Sequence, residues 1–212
     1  MKNFNNNEAN TLKEIILYRR DVRGNRFLNT PISDAVLDDI IFAGMNAPSV
    51  GFSQPWEFVI VKDDKIKNKI KATFSEQNEK AKTFFKGEKL DSYTALKLEG
   101  IIESPVNIAV FYKPNEHPVL GQTSMKEAGE YSVVCAIQNM WLMARSLNIG
   151  LGWVSILDAV KVKKVLNAPD DRKLIGYLCL GYVDVFFENP ELERLNWEKR
   201  KDKESVVIVD GY

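Results

Sequence analysis

A single domain that mixes helices with a β-sheet is what this 212-residue sequence predicts, and three observations support it. Four short runs rich in β-branched and aromatic residues are bounded by turn residues, as strands are. Between them lie segments whose apolar residues recur at helical spacing. No repeat, low-complexity stretch or linker divides the chain, so residues 1–212 read as one domain. Hydrophobic residues make up 45% and charged residues 27%, which is enough for a sizeable core. Lys plus Arg and Asp plus Glu both number 29, so the net charge is zero. No global field then draws in nucleic acid or an anionic membrane, and any anion site must be local. No apolar stretch approaches the roughly 18 residues of a membrane span.

The start, through Asn10, is polar and Asn-rich, without the basic region and apolar run of a secretory signal; we expect it to be disordered, and the protein to be cytoplasmic. Thr11 is placed to cap a first helix with Leu12, Ile15, Ile16 and Leu17 at helical spacing. Gly24 and Asn25 break that pattern. Pro31 and Ser33 announce a second helix with Val36, Leu37, Ile40 and Ile41 on one face. The loop Ala47-Pro-Ser-Val-Gly-Phe-Ser-Gln-Pro-Trp56 carries two prolines, which push the residues before them extended. Trp56 to Val61 then reads as a strand.

Asp63 to about Lys82 is a charged helix, and residues 84–103 continue in a charged, weakly periodic style that suggests a lid. Pro105 to Tyr112 is a nearly continuous apolar strand, suited to burial on both faces. A loop carrying His117, the single histidine, leads to a long helix from about Lys126 to Leu147. Tyr131, Val134, Cys135, Gln138, Trp141, Leu142 and Arg145 keep a helical period there, and Val133, Ile137 and Met140 widen the apolar face. A helix apolar nearly all round is buried in a core or against a second subunit. Gly150 is placed to end it. Leu151 to Leu157 is a third strand with Ser155 among apolar neighbours, Val160 to Leu166 a short helix, and Lys173 to Val183 a fourth strand. From about residue 186 the chain is a charged arm, with a last short strand at Ser205 to Val209. Cys135 and Cys179 both lie in apolar segments and are expected to be buried free thiols.

The chemistry concentrates in Arg19-Arg20-Asp21-Val22-Arg23. A guanidinium's planar fork suits bidentate binding of phosphate. Asp21 is the anomaly, because a carboxylate repels a phosphate. Neither a dinucleotide glycine fingerprint nor a P-loop occurs, so arginines must hold any phosphate, with Arg200 and its lysine neighbours as a second cluster. A carboxylate among arginines is a plausible general base, and we expect those arginines to lower its pKa.

Tyr-Arg-Arg-Asp-Val-Arg after a first helix, then Ala-Pro-Ser-x-x-x-x-Gln-Pro-Trp opening a strand, resemble the nitroreductase superfamily of flavin mononucleotide (FMN) enzymes. Asp21 stands where most members have a small hydroxyl residue. With Gly-Trp-Val-Ser-Ile at 152–156, Cys-Ala-Ile-Gln-Asn-Met-Trp at 135–141 and Leu-Cys-Leu-Gly-Tyr-Val-Asp at 178–184, the chain is similar to the dimethylbenzimidazole-forming branch of that superfamily. The resemblance covers about residues 11 to 205. It implies an α+β fold, a mostly antiparallel sheet flanked by helices, and a homodimer with exchanged C-terminal arms and two shared flavin sites. It implies that reduced FMN is a substrate, which molecular oxygen converts to 5,6-dimethylbenzimidazole and erythrose 4-phosphate, without a metal. A separate NAD(P)H-flavin reductase would supply the reduced flavin.

By position, the resemblance assigns Arg19, Arg20, Arg23 and Arg200 to the phosphate and pyrimidine end. Ser49, Val50 and Ser53 would come from the partner subunit, and backbone near Leu157 would reach the central ring. Val22 and Gln54 fall in the same stretches and count with these contacts. Asp21 and Ser155 match the residues used for fragmentation. The rival reading is an NAD(P)H-dependent nitroreductase or quinone reductase that leaves its flavin intact.

Overall fold

A computed structural model describes all residues, 1–212. Eleven helices and strands follow in the order α1 (Asn6–Tyr18), α2 (Asp34–Met45), β1 (Trp56–Val61), α3 (Asp64–Lys82), α4 (Glu88–Ala95), β2 (Val106–Tyr112), α5 (Ala128–Ser146), β3 (Ile149–Val154), α6 (Ala159–Val165), β4 (Lys173–Tyr182) and α7 (Glu191–Arg194). The four strands form one sheet in the order β1-β2-β4-β3, with every pairing antiparallel. The fold is α+β, as expected.

Alternation of side chains along the strands explains the layering. Val106, Ile108 and Val110 of β2, with Leu178 and Leu180 of β4, point to one face, where α2 and α5 supply Leu37, Ile40, Val133, Ile137 and Met140. Ala109, Phe111, Tyr177 and Cys179 point to the other, against Ile70 and Phe74 of α3 and Val162 of α6. The apolar run of β2 is thus buried on both faces. Full burial pushes the Cys179 thiol up to about 12, so it is inert. No helix is long and apolar enough to cross a membrane.

Several expectations need correction. The first helix begins well before Thr11. Asn5 Oδ1 accepts the amides of Asn7 and Glu8 at 2.9 and 3.0 Å, and the Glu8 carboxylate accepts the Asn5 amide at 2.8 Å. That reciprocal cap gives the polar start an ordered helix, with Thr11 bonded back to Asn7 O inside it. Asn148, at φ 57°, ends α5 in the left-handed region, so Gly150 lies inside β3 and Ser155 lies just beyond it. The charged excursion is shorter than residues 84–103. Glu99 is buried, paired with Lys71 at 2.5 Å and Lys97 at 2.9 Å and accepting the Ile101 amide, which returns the chain to the core.

Ser205 to Val209 forms no strand. A single 3-10 turn spans Lys203–Ser205, and Val206, Val207, Ile208 and Val209 stay exposed because no sheet edge of the same chain reaches them. Cys135 is exposed on α5, not buried.

Candidate active site

The segment after α1 is extended, beginning with Arg19 at φ −65°, ψ 135°. It lies along the free edge of β3, where Val22 donates its amide to Leu151 O at 3.1 Å. Gly152 allows this approach: a Cβ there would stand 2.0 Å from the Val22 carbonyl oxygen. Alternation along the segment buries Arg20 and Val22 and leaves Arg19, Asp21 and Arg23 half-buried on the other side.

The arginines have different tasks. Arg20 is a clasp. Its Nε donates to Phe187 O at 2.9 Å, its Nη1 to Leu17 O and Arg19 O at 2.7 Å each, and its Nη2 to Glu188 O. This corrects the expectation that Arg20 presents its fork to a phosphate, because backbone carbonyls already take it up. Arg23 is paired with the Asp21 carboxylate and donates to Trp153 O at 3.2 Å. Arg19 stacks on the Trp141 ring, 4.6 Å from Cζ to centroid, and makes no hydrogen bond within the chain. Burial lowers its pKa, Asp21 opposes that, and the like charge of Arg200 adds to it. Burial, then Arg19 and Arg200, lower that of Arg20 as well. An anion would relieve this mutual repulsion.

Asp21 is held from two sides. Its Oδ1 accepts the Trp153 amide at 3.0 Å and its other oxygen faces Arg23. Desolvation nevertheless wins: it pushes the carboxyl above its ordinary 3.8, against Arg23, the Trp153 amide and Arg19. This reverses the expected direction and suits a base, since proton transfer is most efficient when the pKa approaches the working pH.

These groups open on a cavity of about 670 Å³, within the range of small-ligand sites. Arg19, Arg23 and Arg200 lie along it beside Asp21, with Ile16 and Leu17 of α1, Leu96 and Leu98 of the excursion, and Leu192 of the arm as its apolar lining. Gln138 of α5 also lines it. Excursion and arm are joined above by Phe85, Tyr93 and Trp197, with ring centroids 4.7 to 6.2 Å apart.

Other expected residues lie elsewhere in the single chain. Val50 donates its amide to Ser132 Oγ at 3.0 Å and Gln54 to Ser49 Oγ at 3.1 Å, so their loop packs at the start of α5. Trp141 is nine residues further along that helix, roughly 14 Å at 1.5 Å per residue. Ser49, Val50, Ser53 and Gln54 therefore do not meet the arginines within one chain. Their loop is strained all the same at Phe52 and Gln54, with φ 54° and 47°, while Gly51 takes φ 55° freely. Ser155 is exposed past β3 and does not line the cavity, because the strand ends at Val154. The Leu157 amide is taken by Ser155 O at 2.9 Å. Trp141, Trp153 and Gly152 escaped sequence reasoning; the small residue beside a Trp in a strand was the available signal.

A family model, the nitroreductase family, matches residues 16–182. The chain belongs to the nitroreductase family. One relative within it, named 5,6-dimethylbenzimidazole synthase, from Rhodospirillum rubrum, is 40% identical over 90% of this chain and 90% of its own length. A second of the same name, from Rhodobacter capsulatus, is 36% identical over 93% and 95%. The crystal structure of a BluB-like flavoprotein from Clostridium difficile 630 covers 94% of the chain and 99% of its own with a TM-score of 0.70. At 21% identity that likeness concerns the nitroreductase fold alone.

Proposed function

We propose that this chain is a 5,6-dimethylbenzimidazole synthase. It consumes reduced FMN and molecular oxygen and forms 5,6-dimethylbenzimidazole, the lower ligand base of cobalamin, and erythrose 4-phosphate, and the pyrimidine ring of the flavin leaves as a third fragment. A separate NAD(P)H-dependent reductase supplies the reduced flavin. The observation that carries this reading is Asp21: a carboxylate held by an amide and an arginine, with Arg19 and Arg200 beside it along the cavity. A protein that only bound flavin would gain nothing from that carboxylate. The two named relatives support the same reading.

The cavity suits FMN, with a cluster of repelling arginines for the phosphate and an apolar wall of leucines and Ile16 for the ring. Arg19 and Arg200, which have no partner in the chain, would take the phosphate. Bound reduced flavin supplies the electrons that activate oxygen. Arg23 and the Trp153 amide orient Asp21, which accepts a proton from a carbon of the ribityl chain. The leucines of the excursion and arm exclude water. Ser155, with its hydroxyl free, stays in the proposal as the second chemical group.

The site is shared in a homodimer in this reading. Tyr131, Val134 and Cys135 on the outer face of α5 are exposed, as are Leu12, Ile16 and Leu17 of α1 and Phe42 and Met45 of α2. So broad an apolar surface marks an interface. Two α5 helices packed antiparallel about a two-fold axis place the start of one beside the end of the other. Ser49, Val50, Ser53 and Gln54 of one subunit then complete the cavity of its partner, and the exposed Val206 to Val209 docks on the partner as an exchanged arm. Light scattering at micromolar concentration should return twice the 24.2 kDa chain mass. A monomer with flavin bound would end the shared-site reading.

The reaction is tested by mixing protein with reduced FMN without oxygen, admitting air and separating the products by chromatography. Dimethylbenzimidazole should form, and none should form from oxidised FMN. Return of intact flavin with peroxide would instead favour a nitroreductase or quinone reductase.

A further inference from the structure

We propose that Trp141 is a positioning residue which, acting through Arg19, sets how strongly the site prefers a phosphorylated flavin over its unphosphorylated counterpart. The inference rests on the phosphate reading given above. Three contacts meet at this indole. Its face carries the Arg19 guanidinium at 4.6 Å, its Nε1–H donates to Arg20 O at 3.1 Å, and its ring packs against Trp153 at 6.5 Å. The first fixes the plane of a long side chain that would otherwise sample many rotamers. The second fixes the carbonyl between Arg19 and Asp21, and so the direction in which both leave the backbone. The third joins it to the residue whose amide holds Asp21.

Arg19 is the arginine for which this matters most. The forks of Arg20 and Arg23 are already engaged by carbonyls and by Asp21. Arg19 has no such partner, so stacking occupies its face and leaves the donors along its edge free. A stacked guanidinium with an open edge is pre-organised for two parallel bonds to a phosphate, and cation–π attraction strengthens as the cation loses water. An aliphatic residue at 141 would fill part of the indole's volume, but it could neither carry the cation nor bond the Arg20 carbonyl.

The test compares oxidised FMN with riboflavin, which lacks the phosphate, by fluorescence titration of the full chain. Replacing the stacking platform in Trp141→Leu should weaken FMN binding about 3- to 30-fold while riboflavin changes by less than about twofold. Trp141→Phe, which restores an aromatic face, should recover most of the FMN preference. In an Arg19→Ala background Trp141→Leu should cause no further loss of preference, because the two act as one unit. Equal weakening of both flavins, or additive losses in the double variant, would overturn the inference and leave Trp141 a packing residue. If Arg19→Ala weakens FMN but Trp141→Leu does not, this inference alone falls. If Arg19→Ala leaves FMN and riboflavin binding unchanged, the phosphate assignment falls with it. Trp141→Met gives the same comparison should leucine prevent folding.

Discussion

Asp21→Asn should bind oxidised FMN at least as tightly as the unchanged chain and yet lose product formation by a factor of roughly 10² to 10⁴, the contribution of a missing general base. The amide keeps the size of the carboxylate and can still accept the Trp153 amide bond. It loses the negative charge that opposes a phosphate, and it loses basicity. The pH dependence gives a second signature. Burial holds the Asp21 carboxyl of the free chain above 3.8, so the acid limb of kcat/KM should lie above that value in the unchanged chain and be absent in the variant. Arg23→Ala, which removes the largest opposing charge, should move the limb further up. The same shift favours folding at pH below 3.8, and that contribution is lost as pH rises through the folded value. Titration by fluorescence quenching followed by product assay at saturation separates binding from chemistry. Unchanged turnover in Asp21→Asn would remove the base from the mechanism.

Gly152→Ala should be the most damaging change of a single methyl group. Its Cβ would stand 2.0 Å from the Val22 oxygen, and the obstacle is backbone, which has no rotamer to yield. The segment must then leave the edge of β3. It would lose the Val22 to Leu151 bond and pull Asp21 away from the Trp153 amide. Overpacking of about 1 to 3 kcal/mol corresponds to a fall in Tm of roughly 2 to 12 °C for a chain of this size. Activity should drop below detection even where the fold survives. Calorimetry with the product assay checks both, and a variant with native Tm and turnover would show that the segment is not seated on β3.

The strands and most helices were legible because one physical cause dominates each of them. Trp56–Val61 coincides with the strand read from alternation, and β2 and β4 agree within a residue, because burial of alternate or all side chains writes itself directly into the sequence. The start of α1 was hidden because its cap rests on Asn5 and Glu8, in a stretch without apolar periodicity. The last strand was misread because β-branched residues report a preference for pairing and not the presence of a partner. At the site, the charge pattern of residues 19–23 pointed to a segment that borders the cavity. Which arginine is free did not follow from it, since that depends on carbonyls 167 and 168 residues away. Nor did the direction of the Asp21 shift, where desolvation competes with three stabilising neighbours.

The Arg20 clasp makes the two ends of the chain a single cooperative unit. α1 buries no side chain of its own, and the arm after Phe186 is largely exposed, so neither would hold its place alone. The carbonyls of Leu17, Arg19, Phe187 and Glu188 converge on one guanidinium and tie them together. Wherever no partner subunit covers it, a unit with so little apolar burial opens well below the global unfolding free energy. It also supplies Ile16 and Leu17 to one side of the cavity and Leu192 and Arg200 to the other. Breathing of the chain ends and admission of a ligand are therefore the same fluctuation. A molecule that bridges both halves is retained by damping it, and amide hydrogen exchange in α1 would slow as the cavity fills.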